Sequence, residues 1–142
     1  MVTASAQWTD GERFVGSASS SHALMIDSDR QRNTAPGPME LVLIGLCACT
    51  ATDVVSILRK KREPFTSLEV RAEAERAAKP PTVYERIHLV YSVSGAVSKK
   101  AVEDAVRLSK ETYCSVSAML QKTAKITTEI EYIGVSSASA KL

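Results

Sequence analysis

The feature that most constrains this chain is a long apolar segment that begins near Met39 and continues to about Arg62. No Pro or Gly cluster interrupts it, and its apolar residues recur with helical spacing, so it predicts the longest helix of the fold. Pro38 fits the first helical position, and Glu63-Pro64 ends the pattern. Because the first half is apolar nearly all round, we expect it to be buried on every side. In a small domain, that burial is easier if a second subunit covers one face.

Alternation of apolar and polar residues predicts strands on both sides of this helix. The first of these strands reads as half-buried, and Ser98 is a suitable N-cap for a second helix. The expected strands cover residues 2–9, 13–17, 23–27, 68–75, 86–93 and 126–132, and the further helices cover 98–112 and 115–124. Strands and helices form blocks rather than alternating strictly, which is typical of an α+β fold with mainly antiparallel sheet.

Length and charge exclude several classes of protein. The chain has 142 residues, so one domain over residues 1–135 and a disordered tail at 136–142 are expected. The 18 Lys and Arg against 16 Asp and Glu give a net charge of +2, which indicates no extended nucleic-acid site. The longest apolar run, Leu41 to Ala51, is shorter than the roughly 20 residues of a membrane span, and the start shows no signal-peptide pattern. We therefore expect a cytoplasmic protein without a nucleic-acid or membrane partner.

Three cysteines carry most of the candidate chemistry: Cys47, Cys49 and Cys114. A helix turns by about 100° per residue, so Cys47 and Cys49 point about 200° apart and cannot serve one site together. Cys114 stands just before a predicted helix, whose N–H groups favour a thiolate, so a lowered pKa is expected there. The simplest alternative is that all three are small buried side chains, since free cysteine is among the most buried residue types.

Asp53 lies one helical turn after Cys49, on the same face of the predicted helix. An unpaired carboxylate there would raise the pKa of the thiol, so it indicates a neighbouring Arg or Lys, or a role in handling protons. A solvated or salt-bridged Asp is the more ordinary interpretation. Glu40 lies nearly opposite Cys49 and is explained by capping of the helix. The two His residues lie in unrelated segments and the chain has no CxxC motif, so no metal site is expected.

Two segments resemble the cysteine motifs of the OsmC/Ohr family. Pro-Met-Glu-Leu-Val at 38–42, leading into Cys-Thr-Ala-Thr-Asp-Val-Val-Ser-Ile-Leu at 49–58, is similar to the first cysteine helix of that family, and most similar to its YhfA-like branch. Tyr-Cys-Ser-Val at 113–116, followed by Ala-Met-Leu at 118–120, resembles the second cysteine segment. The predicted order of strands also fits, so the resemblance covers nearly the whole chain.

The resemblance implies an intertwined homodimer, with sheets wrapped around long central helices that bear the cysteines and with two sites at the dimer interface. It also implies a peroxidase that reduces organic hydroperoxides in the oxidative stress response. Cys49 would be the peroxidatic thiolate, and Cys114 would resolve it as an intramolecular disulfide. An external dithiol such as dihydrolipoamide would reduce that disulfide, and no bound cofactor is implied. Cys47 has no counterpart in the family motif and is expected to be a packing residue.

One position departs from the family pattern. Members that reduce hydroperoxides begin this helix with Pro-Glu, and the Glu orients an Arg that stabilises the thiolate; Met39 stands at that position here. The residues left to support the cysteine are Arg30 and Arg32 in the preceding loop, Glu40 and Asp53. Two alternatives to a peroxidase therefore stay open. One is a dimeric small-molecule-binding protein or thiol redox sensor with little turnover on the same scaffold, and the other is a structural domain with inert thiols.

Overall fold

The computed structural model describes residues 1–134, which group into two compact units, Met1–Ile44 and the residues from Gly45 onward. Strands and helices follow one another in the order β-β-β-α-β-β-α-α-β, with a π-helical turn between the second and third helices. The predicted order of elements and the α+β class are confirmed. The single-domain boundaries stay a prediction, and the expected tail at 136–142 lies outside the described residues.

The first unit holds a three-stranded antiparallel sheet in the order β1-β2-β3, with Trp8 opposite Phe14. Its strands are β1 (Ala4–Asp10), β2 (Arg13–Ala18) and β3 (Ala23–Asp27). Every residue of β1 is exposed, so the prediction of a half-buried strand is wrong. The physical reason is that β1 is an edge strand, and alternation separates the two faces of a strand without showing that either face is covered.

The loop after β3 is organised by the buried side chain of Asp27. Its carboxylate accepts hydrogen bonds from the hydroxyl and the N–H of Thr34, at 2.6 and 3.0 Å, and from the N–H of Asp29 at 2.9 Å. Arg30 donates to the backbone carbonyl of Asp27. Because the Thr34 hydroxyl and the two N–H groups favour the charged carboxylate, the pKa of Asp27 falls from 3.8 to about 2.

The longest element, α1 (Pro38–Lys60), begins and ends on specific hydrogen bonds. At its start, the Glu40 carboxylate accepts a hydrogen bond from the N–H of Gly37 at 2.9 Å, which confirms the predicted capping role. At its end, Arg62 adopts a positive φ of 56° and the N–H of the next residue donates to the carbonyl of Leu58. This is a Schellman motif, which satisfies the last carbonyls of the helix and turns the chain away from it.

Burial of α1 differs from the expectation. Ile44 is 52% exposed and Val42 is 36% exposed, so in the single chain the apolar first half is not covered on every side. The apolar character of α1 continues beyond Ala51, so by length and composition the helix is long and apolar enough to span a membrane. Core helices of soluble proteins meet the same criterion. The buried residues of the helix form a single line at intervals of one turn: Leu46, Thr50, Val54 and Leu58.

The second unit contains a three-stranded mixed sheet in which β5 is central. Its strands are β4 (Phe65–Arg76), β5 (Tyr84–Gly95) and β6 (Lys125–Ile133). β4 runs antiparallel to β5, with Val70 opposite Tyr91, whereas β6 runs parallel to β5, with Ile130 opposite Tyr91. A parallel pair requires a long crossover, which the helices between β5 and β6 provide. The sheets are therefore mainly antiparallel, as expected, with one parallel pair.

The core of the second unit is built on β5, which is buried on both faces. Val90 and Ser92 lie on the face of the strand that alternates with its apolar residues, and they are nevertheless only 2% and 7% exposed. Long charged side chains of the neighbouring strands cover this face, and Glu131 accepts a hydrogen bond from the Ser92 hydroxyl at 2.9 Å. The inner faces of β5 and the following helix are buried as predicted, at Ile87, Leu89, Tyr91, Val93, Ala101, Val102, Ala105 and Val106.

The crossover consists of two helices and a turn of unusual geometry. α2 (Lys99–Leu108) begins as predicted at Ser98, whose hydroxyl oxygen accepts from the N–H three residues further on at 3.2 Å. The predicted continuation of this helix is a π-helical turn, Ser109–Tyr113. After the extended residue Cys114, the chain forms the short helix α3 (Ser115–Leu120).

We predict that Asp27→Asn destabilises the protein at neutral pH and has little effect in strong acid. The pKa of Asp27 is about 2 in the folded protein, whereas the ordinary value for an aspartate, expected in the unfolded chain, is 3.8. Its stabilising contribution is therefore fully present above about pH 4 and is lost as the pH falls toward 2. Urea unfolding of wild type and variant across this pH range measures the difference. The exposed Glu12 offers a control, Glu12→Gln, and a difference for Asp27→Asn that does not shrink in acid would contradict the prediction.

Candidate active site

The site is built on two turns of α1 that carry Cys49, Thr50 and Asp53. Thr50 is buried, and Cys49 and Asp53 lie half-buried one turn apart on the neighbouring face, as their spacing predicts. Among residues 1–134, Asp53 forms no ion pair, and its carboxylate instead accepts a hydrogen bond from the Ser109 hydroxyl at 2.8 Å. The salt-bridged interpretation of Asp53 therefore does not hold among the described residues, whereas its half-exposed position beside an open cleft is compatible with a solvated carboxylate.

The π-helical turn brings Ser109 and Cys114 to these residues of α1. The N–H of Cys114 donates to the carbonyl of Ser109 at 2.8 Å, five residues back, so the turn contains one residue more than an α-helical turn. Cys114 then adopts an extended backbone, and its sulfur accepts a hydrogen bond from the N–H of Ser117 at 3.3 Å. Such turns occur frequently at functional sites.

The side chains of Cys49 and Cys114 lie close enough for each thiol to influence the ionisation of the other. All three cysteines are free thiols; Cys49 is half-buried, whereas Cys114 is only 2% exposed. The structure therefore brings together, within the second unit, the two cysteines that the family resemblance pairs.

Burial raises the pKa of the Cys114 thiol well above its ordinary value. The N–H of Ser117 lowers this pKa by less than burial raises it, and the hydrogen bond to Cys49 and the charges of Cys49 and Asp53 raise it further. The lowered pKa expected at this helix start is therefore wrong, because desolvation of the thiolate outweighs the single N–H donor. Cys114 therefore keeps its proton at neutral pH.

A chain of buried hydroxyl groups leads from the sheet to Asp53. The hydroxyl of Tyr91 lies 2.7 Å from that of Thr50, which lies 2.7 Å from that of Ser109, and Ser109 donates to Asp53 Oδ2. Burial raises the pKa of Tyr91 to about 12, so its hydroxyl keeps its proton. Sequence reasoning missed this chain. The available signal was a hydroxyl residue inside the most apolar helix and another on the inner face of a strand.

A cleft of about 330 Å³ opens beside Asp53. Its walls combine apolar and aromatic side chains with two lysines, and they include Ile57, Lys60, Lys61, Leu108 and Tyr113. This lining offers a small, largely apolar molecule a binding place next to the carboxylate.

The other candidate supporting residues lie in the first unit. Arg30 donates to the Glu40 carboxylate at 3.1 Å, and Arg32 donates to the Asp10 carboxylate at 2.8 Å. Glu40 therefore pairs with Arg30 in addition to capping the helix. The action of Arg30 or Arg32 on the thiol stays a prediction.

The remaining candidates lie outside the thiol pair. Cys47 is half-buried, and burial raises the pKa of its thiol. His22 is exposed, and His88 hydrogen-bonds to Thr127 and Glu129 at 2.7 and 2.8 Å. In the part of the chain that the structure describes, no group of three or more His, Cys, Asp or Glu side chains is placed to hold a metal ion.

The fold and the paired thiols define a class of protein. A family model described as OsmC-like protein matches residues 31–129, which contain both cysteines of the pair. The chain therefore belongs to the OsmC-like protein family, as its two cysteine motifs indicate.

Comparison with individual proteins agrees with this assignment. Protein YhfA of Escherichia coli strain K12 is 40% identical over 133 residues, which cover 93% of this chain and 98% of YhfA. A solved structure of a hypothetical protein from Aquifex aeolicus VF5 is 30% identical, with a TM-score of 0.80 over 94% of this chain and 98% of that one. An organic hydroperoxide resistance protein OsmC from Legionella pneumophila is 16% identical, with a TM-score of 0.69 over 92% of this chain and 96% of that one, and thus shares the fold.

We predict that iodoacetamide modifies Cys114 far more slowly than Cys49 in the native, reduced protein. Cys114 is buried and keeps its proton, whereas alkylation requires an accessible thiolate. Asp53→Asn removes a negative charge that raises the pKa of Cys114, so the pH at which Cys114 reacts should fall. Timed alkylation across a pH series, followed by peptide mass spectrometry, measures both effects. The control Glu103→Gln should leave the profile unchanged, and equal rates for the two cysteines would refute the prediction.

Proposed function

We propose that this protein is a thiol-dependent peroxidase that reduces organic hydroperoxides to alcohols, with Cys49 as the peroxidatic thiol and Cys114 as the resolving thiol. The observation that carries the proposal is the proximity of the two thiols, which interact with each other and with the Asp53 carboxylate within the second unit. The Legionella protein that shares the fold is titled for organic hydroperoxide resistance, which supports the same chemistry.

The reaction takes three steps. The Cys49 thiolate attacks the distal oxygen of the hydroperoxide; an S–O bond forms as the O–O bond breaks, and the alkoxide takes up a proton to leave as alcohol. Cys114 then attacks the sulfur of the resulting sulfenic acid, so that a disulfide forms and water leaves. Because the resolving thiol is adjacent, it traps the sulfenic acid before irreversible oxidation. An external dithiol such as dihydrolipoamide reduces the disulfide by exchange and supplies both electrons.

The surroundings of the two sulfurs support this division of roles. Cys114 is buried and keeps its proton, whereas Cys49 is half-buried and therefore more open to an incoming peroxide. The cleft beside Asp53 is lined by Ile57, Leu108 and Tyr113, and such apolar walls favour an alkyl hydroperoxide over hydrogen peroxide. The substrate we propose is therefore an organic hydroperoxide.

We also propose that the protein acts as a homodimer in the cytoplasm. In the first unit, Ile44 and Val42 leave apolar surface of α1 exposed. In the second unit, a groove of about 670 Å³ runs along Ala48, Ala51 and Val55 of the same helix. A second copy that covers α1 would bury this surface, which fits the expectation from its apolar sequence. Free thiols persist in a reducing compartment, which favours the cytoplasm.

The proposed cycle predicts that one equivalent of cumene hydroperoxide removes two hydrogens from the mass of the reduced protein and links Cys49 to Cys114. Cys49→Ser should abolish the reaction, because no nucleophile then meets the peroxide. Cys114→Ser should stop at a sulfenic acid that dimedone traps. Intact and peptide mass spectrometry measure these products, and hydrogen peroxide serves as the comparison substrate.

The matched control is Cys47→Ser, which should react as the wild type does. Thiols that stay reduced, or that oxidise slowly without preference for the organic peroxide, would contradict the proposal. A dimeric binding protein or thiol redox sensor would then be the better description.

The dimer proposal predicts that Ile44→Glu yields a monomer, because a buried charge without a partner is costly at an apolar interface. Light scattering coupled to gel filtration measures the mass in solution. Val83→Glu is the control, since Val83 is also an exposed apolar residue but lies outside α1. A monomeric wild type, or an Ile44→Glu variant that stays dimeric, would refute this prediction.

A further inference from the structure

The buried hydroxyl chain has a fixed direction, which follows from counting its hydrogens. Each hydroxyl group supplies one hydrogen, and an ionised carboxylate supplies none. The Ser109 hydroxyl therefore donates its only hydrogen to Asp53, so its oxygen accepts a hydrogen bond from Thr50. The Thr50 hydroxyl donates its own hydrogen in that bond, so its oxygen accepts a hydrogen bond from Tyr91. All three hydrogen bonds point toward the Asp53 carboxylate.

The chain also holds that carboxylate in one place. Ser109 binds Oδ2 through its side chain, while its backbone carbonyl accepts the N–H of Cys114. One residue thus ties the carboxylate to the segment that carries the resolving thiol. Within residues 1–134, the other oxygen of Asp53, Oδ1, accepts no side-chain or backbone hydrogen bond, so it is available to take a proton.

Titratable groups approach Asp53 from several elements. Its own helix contributes Cys49 and Lys60, and Lys61 directly follows that helix; both lysines line the same cleft. Lys61 is occupied by an ion pair with Asp104 at 3.6 Å. The remaining groups come from β5 and from the π-helical turn and the residue after it: Tyr91, Tyr113 and Cys114.

We propose that Ser109, Thr50 and Tyr91 form a hydrogen-bond relay that positions Asp53 as the proton acceptor for Cys114 when the disulfide forms. The inference rests on the proposed peroxidase cycle. As the Cys114 sulfur attacks the Cys49 sulfenic acid, Asp53 takes the thiol proton, so an O–H bond forms while the S–H bond breaks. The S–S bond forms, the S–O bond breaks, and Asp53 returns its proton to the leaving hydroxide. Water is the product, and Asp53 is ionised again.

The experiment separates the two chemical steps of the cycle. Reduced protein is mixed with stoichiometric cumene hydroperoxide and quenched at short times. Dimedone adducts in a Cys114→Ser background report formation of the sulfenic acid, and the Cys49–Cys114 linkage in the other variants reports the disulfide step. A normal rate of sulfenic acid formation also shows that a variant is folded around its site.

We expect Asp53→Asn to slow the disulfide step on the order of a hundredfold, the effect of losing a positioned base, while sulfenic acid still forms. Its rate should then rise with pH wherever Cys114 ionises unaided. Because the same substitution eases ionisation of Cys114 at equilibrium, a slower disulfide step shows that proton transfer has been lost. Ser109→Ala should slow this step on the order of tenfold, since it removes a hydrogen bond to a charged group, and Ser109→Thr should restore it.

Thr52→Val is the control for Thr50→Val, because both lie on α1 but the Thr52 hydroxyl bonds only to the carbonyl of Ala48. Thr50→Val should slow the disulfide step and Thr52→Val should not. A disulfide step that is unchanged in Asp53→Asn and Ser109→Ala overturns the relay and leaves the peroxidase intact. Failure of Ser109→Thr to restore the rate overturns the positioning role of Ser109. A wild type that forms no sulfenic acid overturns both proposals.

Discussion

The structure depends on one constraint, a threonine hydroxyl buried inside the most apolar helix of the chain. Leaving the Thr50 hydroxyl unpaired would cost about 1–3 kcal/mol, so it must find partners in the core. It finds Tyr91 on β5 and Ser109 in the π-helical turn, each at 2.7 Å. These two hydrogen bonds fix how far α1 is rotated about its axis, and where it lies along that axis, relative to β5 and the π-helical turn. The positions of both thiols follow, since Cys49 precedes Thr50 and Cys114 ends the turn that Ser109 begins.

Strong periodicity made the order of helices and strands predictable from the sequence. Features that depend on which neighbours cover a residue could not be predicted. The extent of α1 and the Ser98 cap could be predicted because local spacing and capping chemistry determine them. The exposure of β1 could not, because alternation does not show which face finds a neighbour. The pairing of Cys49 with Cys114 came from motif resemblance. The raised pKa of Cys114 and the chain through Ser109 depend on tertiary burial, which sequence spacing does not contain.

The first unit shows how a departure from the family pattern can be accommodated locally. With Met39 in the usual glutamate position, Glu40 caps the helix through Gly37 and accepts a hydrogen bond from Arg30. The loop that carries Arg30 is closed on Asp27 by backbone and hydroxyl donors. One carboxylate thus serves both the start of the helix and an arginine.

The π-helical turn between Ser109 and Cys114 makes the pairing of the thiols depend on a count of residues. Loss of one residue from this turn would allow α2 to continue as an ordinary helix and would rotate Cys114 by about 100°. The side chains of Glu111 and Thr112 are exposed and do not line the cleft beside Asp53, so their identities can vary without disturbing the sulfurs. Substitution at these two positions is tolerated, but insertion or deletion would separate the two thiols. Among related chains, we therefore expect the length of this π-helical turn to be conserved more strictly than its sequence.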